Sequence, residues 1–89
     1  MLESRTVIIN RLGLHARAAA KLAQCANQFS SDIKISKNAQ TADGKSIMSV
    51  MMLAAGKGTV LKLVIIGDDE NQANHALTKL IANGFGEDT

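Results

Sequence analysis

The sequence predicts an α+β domain in which a small sheet is covered on one side by helices. Three observations support this class. The segments follow the order β-α-β-β-α-β-α, without a repeat or linker. One strand, Val60-Leu61-Lys62-Leu63-Val64-Ile65-Ile66, is nearly all apolar and reads as central, with much of both faces shielded. Two longer segments repeat their apolar residues at helical spacing, which gives each a single inward stripe.

The first strand runs from about Ser4 to Ile9, on the β-branched run Thr6-Val7-Ile8-Ile9. Asn10 to Leu14 form a loop that turns at Gly13. Ala16 to about Gln28 is the first helix, because Ala18, Leu22, Cys25 and Phe29 recur on one face. Its other face holds Arg17, Lys21, Gln24, Gln28 and the small Ala20. In the second strand Ile33 and Ile35 alternate with Lys34 and Ser36. Lys37-Asn38 turns the chain, since Asn tolerates φ > 0, and Gln40 to Ala42 form a short third strand. Ser46 is a good N-cap for a short helix through about Leu53. Ala55-Gly56-Lys57-Gly58 leads into the strong strand Thr59 to Ile66. Asp68 and Asp69 open the last helix, where their carboxylates suit capping and the dipole. Ala73, Ala76, Leu77, Leu80 and Ile81 form its inward stripe, and Gly84 after Asn83 is the expected C-cap.

Eighty-nine residues fit one domain, and 46% hydrophobic content is ample for its core. Aromatic residues are 2%, with no Trp or Tyr, so broad stacking on single-stranded nucleic acid is not expected. A formal charge of +2, with scattered bases, gives no nucleic-acid footprint. Cys25 is the single cysteine; a reducing compartment fits, and its spacing reads as a small core residue. Glu3 and Arg5 sit where a signal peptide would need its apolar run, and no stretch approaches the roughly 20 apolar residues of a membrane span. The expectation is a soluble cytoplasmic protein without membrane insertion.

The chemistry concentrates at Gly13-Leu14-His15-Ala16-Arg17. His15 directly precedes a helix whose first backbone N–H groups lack intrahelical partners, carry partial positive charge and favour an anion. The backbone of Ala16 and Arg17 can therefore bind phosphate oxygens, supplemented by the Arg17 side chain. A cation in a first helical turn opposes the dipole and so lacks a local structural reason. Such a site suits a phosphoryl group that is taken up and passed on. His75 lies among Asn71, Gln72, Asn74 and Lys79 and reads as a surface residue. No Cys or His cluster has metal-ligand spacing, and no loop matches a P-loop, so no metal or cofactor is expected.

Two motifs, Gly13-Leu14-His15-Ala16-Arg17-Ala18 and Gly44-Lys45-Ser46-Ile47-Met48-Ser49-Val50-Met51, closely resemble the HPr family of phosphocarriers of the bacterial phosphoenolpyruvate-dependent phosphotransferase system. The first matches the family pattern Gly-aliphatic-His-Ala-Arg-(Pro or Ala); the second matches its serine-opened middle helix. The likeness spans essentially the whole chain. It implies a single α+β domain over 1–89, an open-faced β-sandwich with a four-stranded antiparallel sheet in order 1-4-2-3 and three helices on one face. It also implies a carrier rather than an enzyme: His15 accepts phosphate on Nδ1 from enzyme I and gives it to IIA-type proteins. Ala18 stands where many members have proline, which loosens the helix start without removing chemistry. The ending Ile81-Ala82-Asn83-Gly84-Phe85-Gly86-Glu87-Asp88 looks more like the nitrogen-related branch (NPr) than the sugar-transport branch.

Ser46 has two readings, as an N-cap alone or as a candidate regulatory phosphosite for a serine kinase/phosphorylase of the kind that acts on some family members. Ile47, Met48, Met51 and Met52 cannot all face the core of one short helix, so an adaptable patch is expected beside the His15 loop. Leu14, Ala20, Lys21, Gln24, Ile47, Met48 and Met51 form the expected docking surface, which the resemblance assigns to enzyme I and the IIA-type proteins. A monomer is the simplest shuttle. The alternative function is a regulatory binding module that acts on a kinase, transporter or transcription factor according to its phosphorylation state.

Overall fold

A computed structural model of the chain describes residues 1–87. Four strands, β1 (Leu2–Val7), β2 (Asp32–Lys37), β3 (Gln40–Asp43) and β4 (Val60–Ile66), form one sheet in the order β1-β4-β2-β3. All three pairings are antiparallel. Helices α1 (Ala16–Ala26), α2 (Ile47–Met52) and α3 (Glu70–Ala82) lie on one face, and a 3-10 turn, Gly84–Gly86, follows α3. The open-faced sandwich and strand order are those expected.

β4 is central, but one of its faces is open. Leu61, Leu63 and Ile65 are buried, whereas Val60 and Ile66 are about half exposed (52% and 50%) because helices cover a single side. The apolar run therefore reported a strand between two neighbours, not one shielded on both faces. β1 starts earlier than its β-branched run suggests, since Leu2 pairs with Ile65 along the full length of β4. Ile9 leaves the sheet exposed, while Ile8 is buried and its carbonyl accepts from the Gly58 amide at 2.7 Å. The weak strand formers of β3 are held by pairing with Lys34–Lys37, and Asn38 takes φ 54 at the turn between them.

α1 buries Ala18, Ala19, Leu22, Ala23 and Ala26 against the sheet. The actual stripe is centred on alanines, so Cys25 and Phe29 are half-buried at its edge rather than within the core. Burial still pushes the Cys25 thiol up from its ordinary value. After Ala26 the chain tightens, the Gln28 and Phe29 amides donating to the Cys25 and Ala26 carbonyls, and the side-chain amide of Asn27 donates to the carbonyls of Ala23 (2.8 Å) and Lys45 (2.9 Å).

The start of α3 also differs from expectation. Asp69 occupies the N-cap position but makes no side-chain cap; its carboxylate instead accepts from the backbone of Ser30 and Ser31 and from the Ser31 hydroxyl. Glu70 reaches back to the Gly67 amide at 3.2 Å. Within the expected stripe Ala73, Leu77 and Ile81 are buried, with Ala76 and Leu80 at its margin. At the other end Gly84 has φ 63, the left-handed conformation that closes a helix after Asn83. Phe85 then enters the core at 1% exposure, a burial that contributes roughly 1.5–3 kcal/mol and anchors the following residues.

Candidate functional site

The loop before α1 is shaped by Gly13. Its φ of 64 is left-handed, and a Cβ there would overlap the Ala55 carbonyl oxygen. The Leu14 amide donates to that same carbonyl at 2.9 Å, which fastens the loop to the segment after α2. Leu14 is 5% exposed and plugs the core, so it cannot belong to the expected docking surface. The sequence beside the histidine does not show which way the loop faces.

His15 is the N-cap residue of α1, in extended backbone (φ -70, ψ 177), and its carbonyl accepts from the Ala19 amide at 2.9 Å. Its side chain makes no cap. The imidazole is 28% exposed, at the rim of a shallow depression lined by Leu12, Ala16, Arg17, Lys21, Gly86 and Glu87. Among the described residues no protein acceptor takes the Ala16 or Arg17 amide, and such first-turn amides carry dipole-enhanced partial charge. Arg17 is exposed, and among the described residues its guanidinium makes no ion pair or hydrogen bond. His15, Ala16 and Arg17 all line this one depression.

Glu87 completes the site and was missed by that reading. Its Oε2 lies 2.5 Å from Nε2 of His15, and its Oε1 accepts from the Asn10 amide at 3.0 Å. Those two hydrogen bonds, with the nearby charge of Lys21, hold the Glu87 carboxyl below the ordinary glutamate range. Asn10 is fully buried and also donates to the Gly13 carbonyl at 2.9 Å. Its Oδ1 is buried without a partner among the described residues, a cost of roughly 1–3 kcal/mol. The side chain of Asn10 thereby ties the glycine turn to Glu87. A buried asparagine at the head of a histidine loop, and an acid just after Gly84-Phe85-Gly86, are the signals that were present. Neither has a period that ties it to His15.

The remaining surface residues divide. Ile47, Met48, Met51 and Met52 are exposed at 42%, 69%, 38% and 73%, an apolar patch on α2. The segment after α2 carries the Ala55 carbonyl that holds the His15 loop, so patch and loop are neighbours. Gln24 is exposed and Ala20 half-buried on α1. Lys21 has a structural task as well, since its Nζ donates to the Phe85 carbonyl at 2.7 Å. Leu12, 59% exposed, lines the depression beside His15 and was not anticipated. Ser46 caps α2, its Oγ accepting from the Ser49 amide at 3.2 Å. No group of three or more His, Cys, Asp or Glu able to hold a metal ion occurs among the described residues. No helix among them is long and apolar enough to cross a membrane.

The family model described as "PTS HPr component phosphorylation site" matches residues 2–83. The chain belongs to the HPr family of phosphocarriers of the phosphotransferase system. It is 58% identical over 87 residues to the phosphocarrier protein HPr of Cupriavidus necator, with 98% of each chain covered. Among solved structures it is similar to HPr-C-His from Thermoanaerobacter tengcongensis, at 45% identity and a TM-score of 0.96 over 100% of both chains. It is also similar to an HPr dimer from the same organism, at 46% identity and a TM-score of 0.78, covering 98% of this chain and 100% of that one. The HPr match spans His15, Arg17 and Ser46 but ends before Glu87.

Proposed function

We propose that His15 accepts a phosphoryl group from enzyme I and passes it to IIA-type acceptor proteins, with Arg17 and the amides of Ala16 and Arg17 binding the phosphate oxygens. The observation that carries this reading is the accessible imidazole beside two amides at the start of α1 that have no protein acceptor among the described residues. An anion-binding helix end next to a nitrogen nucleophile stabilises a phosphoryl group without burying it, so the group can leave again. The Ile47, Met48 and Met51 patch, with Ala20, Lys21 and Gln24, is the surface that successive partners meet. Ser46 stands in that patch's first turn, where a phosphate added by a serine kinase would place like charge against acidic partners.

Incubation with phosphoenolpyruvate and enzyme I tests the reading. The expected product is an acid-labile, base-stable phosphate on the chain, absent from His15→Ala. Undiminished labelling of His15→Ala sinks the assignment. Offering the phosphorylated chain IIA proteins of the sugar and nitrogen branches then separates transport from nitrogen regulation by which one takes the phosphate.

A further inference from the structure

Resting on His15 as the phosphoryl acceptor, we propose that Glu87 is a positioning residue for the transfer step. Held by Asn10, its carboxylate accepts a hydrogen bond from Nε2–H of His15 and leaves Nδ1 as the ring nitrogen with the free lone pair.

Three anchors place Glu87. Phe85, two residues earlier, is buried in the core, and its carbonyl is held by Lys21 at 2.7 Å. Gly84, Phe85 and Gly86 have successive φ values of 63, 59 and 75, which turn the chain back from α3 toward α1. Left-handed backbone is uncommon for a bulky residue such as Phe85, so this turn is imposed by its surroundings. Asn10 then fixes the second carboxylate oxygen from a fully buried position. A surface ion pair formed by chance has no such support; this carboxylate is aimed at one ring atom.

The consequence for the chemistry follows from the imidazole. In the neutral ring one nitrogen donates and the other accepts, and the partner of one decides the state of the other. A carboxylate held below the ordinary glutamate range is an acceptor, so Nε2 carries the hydrogen. In the transfer step the Nδ1 lone pair bonds to phosphorus. The bond from phosphorus to the leaving atom of the phosphorylated donor protein breaks, and its electron pair stays with that donor. No proton leaves Nδ1, Nε2 keeps its hydrogen, and the ring becomes positive opposite the Glu87 carboxylate. The carboxylate acts through the Nε2 flank and need not touch the phosphoryl group on the other.

Nitrogen-15 NMR of the His15 ring in the unphosphorylated chain, with the rate of phosphate uptake from enzyme I, tests the assignment. Wild type should show the Nε2–H tautomer. Glu87→Ala should show a mixture of tautomers and take phosphate about tenfold more slowly, the factor expected from losing one charge-assisted hydrogen bond. Glu87→Gln, whose amide oxygen still accepts, should keep the tautomer and fall between the two in rate. A wild-type chain that takes phosphate, with Glu87→Ala unchanged in tautomer and rate, overturns the inference alone. A wild-type chain that takes no phosphate overturns the acceptor reading and the inference with it.

Discussion

Asp69 fastens Ser31, not its own helix: one carboxylate oxygen accepts from both the Ser31 amide and the Ser31 hydroxyl, and the other from the Ser30 amide. The start of α3 is thereby tied to the connection between α1 and β2, two segments far apart in sequence. These hydrogen bonds lower the Asp69 carboxyl from 3.8 to about 2, the Ser31 hydroxyl contributing most.

The sign of the resulting acid dependence follows from linkage. A carboxyl whose folded value is depressed contributes stability above its unfolded value, and that contribution is lost as pH falls through the folded one. The Asp69 network should thus be fully effective above about pH 5 and weaken steadily toward about pH 2. Urea midpoints of wild type and Asp69→Asn should differ most near neutral pH and converge as the solution is acidified. A gap that stays constant across that range would assign the effect to something other than ionised Asp69.

Arg17→Ala separates chemistry from folding. The side chain is exposed and, among the described residues, makes no intramolecular contact of the polar kind. It also sits at the positive end of α1, where its charge opposes the dipole. Stability should therefore stay within about 0.5 kcal/mol of wild type. Phosphate uptake from enzyme I should slow by about tenfold or more, because a charge-assisted contact to the phosphoryl oxygens is lost. Parallel urea titration and transfer assays decide it; equal losses in both would make Arg17 a structural residue.

Local features of this site were legible and distant ones were not. The helix following Gly13-Leu14-His15, the capping by Ser46 and the left-handed Asn38 and Gly84 each depend on a few adjacent residues. Central placement of β4 was legible in its apolar run, yet its open face was not, because coverage is decided by where helices pack. Leu14 and Asp69 show local logic losing to tertiary structure: one turns inward under the loop, the other leaves its own helix for Ser30 and Ser31. Glu87 meets His15 across 72 positions, and no periodicity reports such a contact.

Met48 is the strongest probe of the α2 patch, because it is 69% exposed and its removal opens no cavity. Met48→Glu should move the melting temperature by no more than about 3 °C, as expected for a surface change of a few tenths of a kcal/mol. Transfer from enzyme I and transfer to a IIA protein should each fall about tenfold in kcat/KM, with the loss in encounter rather than chemistry. Loss at one partner and not the other would divide the patch between them. Unchanged rates at both would move the docking surface elsewhere.

Gly13 and Gly84 test how much of a glycine requirement is backbone and how much is space. Their φ values, 64 and 63, are nearly equal, so alanine meets similar left-handed strain at either position. Their surroundings differ. A Cβ at Gly84 finds its nearest atoms at 3.6 Å, ordinary contact, whereas at Gly13 it overlaps the Ala55 carbonyl and lies 2.7 Å from the Gly56 Cα. Gly84→Ala should therefore cost about 1 kcal/mol, the strain alone. Gly13→Ala should cost more than about 2 kcal/mol, since the backbone must also move. That movement disturbs the Leu14 amide on Ala55 and the Asn10 amide on the Gly13 carbonyl, so His15 loses its placement. Gly13→Ala should consequently slow phosphate uptake even where the chain remains folded, while Gly84→Ala leaves the contacts of Leu14 with Ala55 and of Asn10 with Gly13 in place. Equal costs for both substitutions would mean that the strap at Ala55 yields, and that the loop is held less firmly than its contacts imply.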